Sequence, residues 1–135
     1  MNQESPQNQA DGPVTVLIAD DEPHIRHLVG NKLKLAGFNV IVASNGQDCL
    51  TLAREHRPAL IVTDFQMPML SGYEMSLQLA SEQDTAGIPI ILLTARGHKL
   101  SDQELAQTGI RMLMDKPFSP NDLLSRVQGM LNQAA

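Results

Sequence analysis

The chain has 135 residues, with 42% hydrophobic and 19% charged side chains and a formal net charge of −5. This length suits one globular domain with a sizeable core. The acidic balance argues against direct binding of nucleic acid, whose phosphates attract clustered lysine and arginine. A single cysteine excludes a disulfide framework. No signal sequence or membrane-spanning run is present, so we expect a cytoplasmic protein that does not bind membranes.

Residues 1–12 contain almost no apolar side chain, so we predict a flexible tail there and one domain at 13–135. Hydrophobic periodicity, proline and glycine then divide the domain into five β–α units. In chain order we predict a strand at 14–19, a helix that starts after Asp21 and is ended by Gly37, a strand at 38–43, a helix at 46–56, a strand that ends at Asp64, a helix at 73–81, a strand at 89–93, a polar helix at 99–107, a strand at 111–114 and a helix that begins at Ser119-Pro120.

Two of the predicted helices carry clear apolar stripes that we expect to face inward. In the first helix the stripe comprises Ile25, Leu28, Val29, Leu33 and Ala36, and in the last helix it comprises Leu123, Leu124, Val127 and Leu131. Short apolar strands that alternate with such helices indicate a parallel sheet with helices on both faces. We therefore predict an α/β fold, a doubly wound five-stranded parallel sheet with five helices, and among the possible strand orders we choose the flavodoxin-like order 2-1-3-4-5.

Polar side chains stand where the predicted strands end. Asp20 and Asp21 follow the first strand, and Asp64 ends the third. Thr94 follows the fourth strand and Lys116 the fifth. Ligand sites of open parallel sheets lie outside the carboxyl ends of the strands, and the predicted order makes strands one and three neighbours. The three carboxylates should therefore converge, which predicts a site for a divalent cation and a phosphoryl group.

Each of these residues also has a simpler interpretation. Asp20 and Asp21 could cap a helix, Asp64 could be a solvated loop residue, and Thr94 and Lys116 could be an ordinary strand end and an exposed lysine. One cap needs only one aspartate, however, and adjacent carboxylates repel each other without a cation. Asp64 could instead attack phosphorus and form an acyl phosphate, with Lys116 paired to it through its ammonium group.

Four segments together resemble the receiver domain of two-component response regulators. They are Ile18-Ala19-Asp20-Asp21-Glu22-Pro23, Val62-Thr63-Asp64-Phe65-Gln66-Met67-Pro68 with Gly72, Leu93-Thr94-Ala95-Arg96-Gly97, and Lys116-Pro117-Phe118. The match covers nearly everything after the tail. The resemblance implies that Asp64 is the phosphoacceptor, that the Thr94 hydroxyl reorients toward the phosphoryl group, and that Lys116 contacts it.

The same resemblance implies a bound Mg²⁺ or Mn²⁺ ion. Asp21 would bind it directly and Asp20 through water, while Asp64 and the backbone carbonyl of Gln66 complete the protein ligands. We further predict that Gln66 and Arg96 flank the acyl phosphate and set its lifetime. A Lys116–Pro117 peptide bond at such a site could be cis.

For function, the resemblance implies a phosphorelay receiver, phosphorylated by the phosphohistidine of a sensor histidine kinase or a histidine phosphotransfer protein. It would promote only its own phosphorylation and dephosphorylation, so we do not expect an enzyme in the ordinary sense. Because the last helix uses up the end of the sequence, we expect a stand-alone receiver. It would bind an unidentified downstream protein, pass the phosphoryl group onward or act as a phosphate sink, and it could form a homodimer on phosphorylation. The chain could also be a piece of a longer regulator.

One position departs from the family pattern. The family usually has tyrosine or phenylalanine three residues before the lysine, where this chain has Leu113. A leucine lacks the reach and the hydroxyl group of such a ring, which favours an alternative, a receiver-like interaction module that works without phosphorylation. The intact acidic pair opposes this alternative. A metal-dependent phosphatase is weaker still, because its second aspartate would stand at Gln66.

Overall fold

The computed structural model describes residues 12–95 and 100–134. In these ranges strands and helices alternate as β1 (Thr15–Ala19), α1 (Pro23–Leu35), β2 (Asn39–Ala43), α2 (Gly46–His56), β3 (Leu60–Asp64), α3 (Gly72–Ala80), β4 (Ile90–Thr94), α4 (Asp102–Ala106), β5 (Ile110–Asp115) and α5 (Pro120–Ala134). All strand pairs are parallel, in the order β2-β1-β3-β4-β5. The predicted flavodoxin-like fold is confirmed.

The hydrophobic core lies on both faces of this sheet, because successive residues of a strand point to opposite sides. On one face Leu17, Ile61 and Leu92 pack against α2 and α3. On the other face the neighbouring residues Ile18 and Val62 pack against α1 and α5. All residues of β3 and β4 are buried, which is typical of a central strand covered on both sides. Each fully buried aliphatic side chain contributes about 1.5–3 kcal/mol to folding.

The inward stripe predicted for α1 is partly wrong. Val29 and Leu33 are buried, but Leu28 is 40% exposed and Ala36 lies just beyond the helix end and is exposed. The stripe predicted for α5 is confirmed at Leu123 and Val127, which are fully buried in the same cluster. Within the described ranges, none of the helices combines the length and the apolar character that crossing a membrane requires.

Helix α4 is shorter than the predicted helix at 99–107, of which residue 99 lies outside the described residues. Leu100 and Ser101 are not helical. The Ser101 side chain accepts a hydrogen bond from the Glu104 backbone N–H, and the Glu104 carboxylate accepts one from the Ser101 N–H. This reciprocal capping box begins the helix at Asp102. The start was predicted too early because the polar residues before Asp102 also have helical propensity.

Strand β5 contains an irregularity that changes its register with β4. Ile90 pairs with Ile110, but the next residue, Ile91, pairs with Met112, so Arg111 is an extra residue on β5. Such a β-bulge shifts every later pair by one residue. As a result Thr94, at the end of β4, lies opposite Asp115.

Candidate functional site

Three aspartates meet at the carboxyl ends of β1 and β3. These strands are direct neighbours, with Ala19 paired to Thr63. One carboxylate oxygen from each of Asp20, Asp21 and Asp64 lies within 4.8 Å of the others. Oxygen ligands at this spacing suit a hard divalent cation such as Mg²⁺. The structure thus brings together the three carboxylates that the predicted strand order placed side by side.

The Asp20 carboxylate is held by protein donors on both oxygens. Its side chain is fully buried. Oδ1 accepts a hydrogen bond from the Glu22 backbone N–H at 3.0 Å, and Oδ2 accepts one from Lys116 Nζ at 2.9 Å. The Arg26 guanidinium also donates to the Asp20 backbone carbonyl at 2.8 Å. A buried carboxylate needs such partners, and they fix its orientation at the end of β1.

Lys116 bridges the cluster from the end of β5. Besides its contact with Asp20, its Nζ lies 3.3 Å from Asp64 Oδ1 and 3.5 Å from Glu22 Oε1. Burial acts to lower the pKa of Lys116, but the hydrogen bonds and charges of Asp20 and Asp64 outweigh it and raise the pKa. The hypothesised pairing with Asp64 is present, although the contact with Asp20 is shorter. The Lys116–Pro117 peptide bond is cis.

Asp64 occupies an environment that disfavours its charge. Burial is the main cause that raises its pKa to about 6, and the charge of Asp20 adds to it. Lys116 acts in the opposite direction but does not compensate. The raised pKa values of Lys116 and Asp64 are compatible because the charges around the two groups are unequal. Lys116 has two carboxylates beside it, whereas Asp64 shares its one lysine with Asp20. A cation at the cluster would therefore favour ionised Asp64.

A cavity of about 250 Å³ lies beside the Asp64 carboxylate. It is lined by Asp64, Phe65, Gln66, Ala95 and Lys116. The carboxylate of Asp64 and the ammonium group of Lys116 therefore border the same cavity. The side chain of Gln66 is exposed, next to this cavity.

The loop after β3 is packed closely against the strand end. The Gly72 N–H donates a hydrogen bond to the Phe65 carbonyl at 2.7 Å, and a Cβ at Gly72 would collide with the Asp64 carbonyl oxygen. The next helix begins directly there, with Ser71 and Glu74 forming a capping box. Gly72 is therefore needed for close approach, and this anchors the loop that carries Gln66.

Thr94 is buried, with 1% of its surface exposed. Its hydroxyl donates a hydrogen bond to Asp115 Oδ1 at 3.1 Å. Sequence reasoning missed Asp115, since the register that pairs it with Thr94 follows from the bulge. The only available signal was an acidic residue directly before Lys116.

Other candidate residues lie apart from the cluster or outside the described ranges. His24 and His27 are exposed on α1. Cys49 is a fully buried core residue, and burial raises the pKa of its thiol to about 12, which disfavours the nucleophilic thiolate. Leu113 is 37% exposed on β5. Arg96, predicted to influence the phosphoryl lifetime, lies outside the described residues.

Known proteins share both the sequence pattern and the fold. Residues 16–128 match the response regulator receiver domain family. The probable transcriptional regulator ycf27 of Porphyra purpurea is 38% identical over 119 residues, covering 88% of this chain and 48% of that protein. The phosphate regulon transcriptional regulatory protein PhoB of Pseudomonas aeruginosa is 34% identical over 119 residues, covering 88% and 52%. The chain thus spans about half the length of these curated relatives.

Solved structures give the same result. The chemotaxis response regulator CheY4 of Vibrio cholerae superposes with a TM-score of 0.78 at 31% identity, covering 86% of this chain and 97% of that one. A putative response regulator from Chloroflexus aurantiacus superposes with a TM-score of 0.80 at 28% identity, covering 89% and 98%. The similarity therefore extends over almost the whole of both solved chains.

Proposed function

The chain belongs to the response regulator receiver domain family of two-component systems, and from this premise we propose that it is phosphorylated on Asp64 in a reaction that depends on Mg²⁺ or Mn²⁺. One observation carries the proposal. The carboxylate oxygens of Asp20, Asp21 and Asp64 lie within 4.8 Å of one another, with Lys116 in contact with two of these residues. Asp64, the proposed nucleophile, and Lys116 line one cavity, and Asp64 is also part of the acidic cluster that would hold the cation.

The residues divide into cation ligands and groups that act on the phosphoryl group. Asp21, Asp64 and the backbone carbonyl of Gln66 would hold the cation directly. Asp20 would act through water, which its two occupied carboxylate oxygens support. The bound cation would reduce the repulsion between Asp64 and the incoming phosphoryl oxygens and hold them together.

In the transfer step, an Asp64 carboxylate oxygen attacks the phosphorus of a phosphohistidine. The new P–O bond forms as the P–N bond breaks, and the electron pair of that bond returns to the imidazole nitrogen. Lys116 would donate a hydrogen bond to a phosphoryl oxygen. Without a cation, burial raises the pKa of Asp64 to about 6, and a bound cation together with Lys116 would favour the ionised carboxylate that attacks phosphorus.

The proposed partners follow from this chemistry. A sensor histidine kinase or a histidine phosphotransfer protein would supply the phosphoryl group, and a downstream protein would recognise the phosphorylated state or accept the group in turn. The chain would promote only its own phosphorylation and dephosphorylation. The relatives described above are transcriptional regulators about twice as long, and their output is not assigned to this chain.

Intact mass measured after incubation with Mg²⁺ and a small phosphodonor tests the proposal. Acetyl phosphate and phosphoramidate should each add one phosphoryl group to the wild type and none to Asp64→Asn. A chelator should prevent the addition. Asp84→Asn is the matched control, because Asp84 is an exposed aspartate beyond α3 and should leave the addition unchanged. A wild type that neither donor modifies would contradict the proposal.

Leu113 favours a second candidate, an interaction module that works without phosphorylation. The residue is exposed on β5, where an aromatic ring usually stands in the family. If this candidate is correct, a downstream partner identified with the wild type will bind Asp64→Asn with the same affinity. A partner that binds only the phosphorylated wild type would exclude it.

A further inference from the structure

The hydroxyl of Thr94 already has an acceptor in this structure. Oγ1 donates to Asp115 Oδ1 at 3.1 Å, and the bulge in β5 places the two residues directly opposite each other. The Thr94 backbone carbonyl is held as well, since it accepts a hydrogen bond from the Lys116 N–H at 2.7 Å. Thr94 is therefore fixed both by its main chain and by its side chain, and both contacts come from the end of β5.

This arrangement limits what Thr94 can do. A threonine hydroxyl has a single proton to donate, so a hydroxyl that donates to Asp115 cannot also donate to a phosphoryl oxygen. The Thr94 hydroxyl proton is committed to Asp115 in this structure, next to Ala95, which lines the cavity beside Asp64.

The acceptor is charged. A hydrogen bond to a carboxylate is stronger than one between neutral groups, and although Asp115 is exposed, the Thr94 side chain is nearly excluded from solvent. Asp115 and Lys116 are adjacent on the chain, yet Asp115 contacts Thr94 while Lys116 contacts Asp20. The two adjacent side chains at the end of β5 therefore contact different partners.

We propose that Asp115 is a positioning residue that retains the Thr94 hydroxyl in the unphosphorylated protein, so that a phosphoryl group on Asp64 must compete with Asp115 for this donor. The inference rests on the proposed function, because it concerns the same phosphorylation site. Phosphorylation then exchanges one acceptor for another: the Thr94–Asp115 hydrogen bond breaks, and a hydrogen bond from Thr94 to the phosphoryl group forms. Asp115 thereby opposes phosphorylation without contacting the reacting atoms.

A double-mutant cycle separates this role from the effect of removing a negative charge. Asp115→Ala, Thr94→Val and the double variant are compared with the wild type in two assays with Mg²⁺ present. One is the rate of phosphorylation by acetyl phosphate. The other is the affinity for beryllium trifluoride, a tetrahedral mimic of the phosphoryl group. We expect Asp115→Ala to increase both about three- to tenfold, as the loss of one competing hydrogen bond implies. In the Thr94→Val background the same change should have no effect.

Two further variants complete the design. Asp115→Asn removes the charge but keeps an oxygen acceptor, so it should give a smaller increase than Asp115→Ala. It also serves as the test variant if Asp115→Ala folds poorly, which thermal melting will reveal. Asp84→Ala removes an exposed aspartate that lies between α3 and β4, away from the end of β5, and should leave both assays unchanged.

The possible results are distinct. A wild type that is neither phosphorylated nor able to bind beryllium trifluoride would overturn the proposed function and this inference together. A phosphorylated wild type with unchanged or slower Asp115→Ala would overturn the inference alone. An equal increase in the wild-type and Thr94→Val backgrounds would also overturn it, since the effect would then arise from charge and not from the hydroxyl.

Discussion

Two ion pairs of this protein differ in burial, and the pair with the shorter distance is the more exposed one. Arg54 and Glu82 join α2 to the turn after α3 with a separation of 2.6 Å, and their side chains are 44% and 33% exposed. Lys116 and Asp20 are 2.9 Å apart, but Asp20 is fully buried and Lys116 is 22% exposed. The shorter pair is screened by water, while the longer pair neutralises a charge that water cannot reach.

Burial, more than distance, therefore determines how an ion pair changes the pKa of its partners. The exposed pair raises the pKa of Arg54 and lowers that of Glu82 through their mutual hydrogen bond, which is the usual behaviour of a stabilising pair. In the buried cluster one lysine serves two carboxylates, and the pKa of Asp64 is raised nevertheless. The protein retains an unfavourable charge at the place where a cation and a phosphoryl group are proposed to bind.

Lys116→Met should give the largest effect on stability. It removes the donor to buried Asp20 and the ammonium group 3.3 Å from Asp64, and breaking a buried pair in this way costs about 3 kcal/mol. Urea denaturation without divalent cations measures the free energy of unfolding. Added Mg²⁺ should recover part of the loss, because it would neutralise the same carboxylates. A loss of unfolding free energy no greater than that of Arg54→Ala would contradict the conclusion that the buried pair contributes more than the exposed pair.

Asp64→Asn should have a smaller effect of the opposite sign. At pH 7 without Mg²⁺, the folded protein holds Asp64 ionised in an environment that disfavours its charge. We expect the variant to unfold with a free energy about 1–2 kcal/mol higher than the wild type, less than the full shift because solvent screens the group. Thermal or urea melts measure the difference. A destabilised variant would mean that pairing with Lys116 dominates over repulsion by Asp20.

The same shift predicts a pH dependence. The pKa of Asp64 is raised from 3.8 to about 6, so between these values the folded state binds the proton more tightly than the unfolded state. The resulting stabilisation is fully present below the lower value and is lost as pH rises through about 6. Unfolding curves of wild type and Asp64→Asn, measured across this window without Mg²⁺, should therefore diverge as pH rises. A constant difference would contradict the raised pKa.

Arg54→Ala should have the smallest effect, despite the shortest separation. Its partner Glu82 is solvated, so removal of the guanidinium leaves no buried charge behind. Stability should change only slightly, and the change should disappear in high salt. The Lys116→Met loss should persist at the same salt concentration, and this contrast provides the clearest test of the comparison.

Much of the site could be predicted because it depends on local patterns. Asp20, Asp21 and Asp64 end or directly follow strongly apolar strands, and the periodicity of those strands reveals their ends. The roles assigned to these residues and to Gln66 remain predictions until phosphorylation and cation binding are measured. The contact between Lys116 and Asp64 also followed from placing both residues at one edge of the sheet.

Other features depend on contacts that no local pattern encodes. The inward stripe of α1 failed at Leu28 because the exact rotation of a helix on the sheet is set by its neighbours. The start of α4 was misplaced because the capping box of Ser101 and Glu104 competed with a general helical propensity. The acceptor of the Thr94 hydroxyl was missed because one extra residue in β5 changes which residue lies opposite.

The alternation of apolar strands and helices was enough to predict the fold class and the edge at which the acidic residues collect, whereas the strand order was chosen among doubly wound arrangements and is confirmed by the structure. That Lys116 binds Asp20 more closely than Asp64, and that Asp115 accepts from Thr94, became visible only in the folded chain. Lys116 and Asp20 are 96 residues apart in the chain. Such pairs are chosen by the packing of distant strand ends and by register, and burial then determines how much each contact contributes.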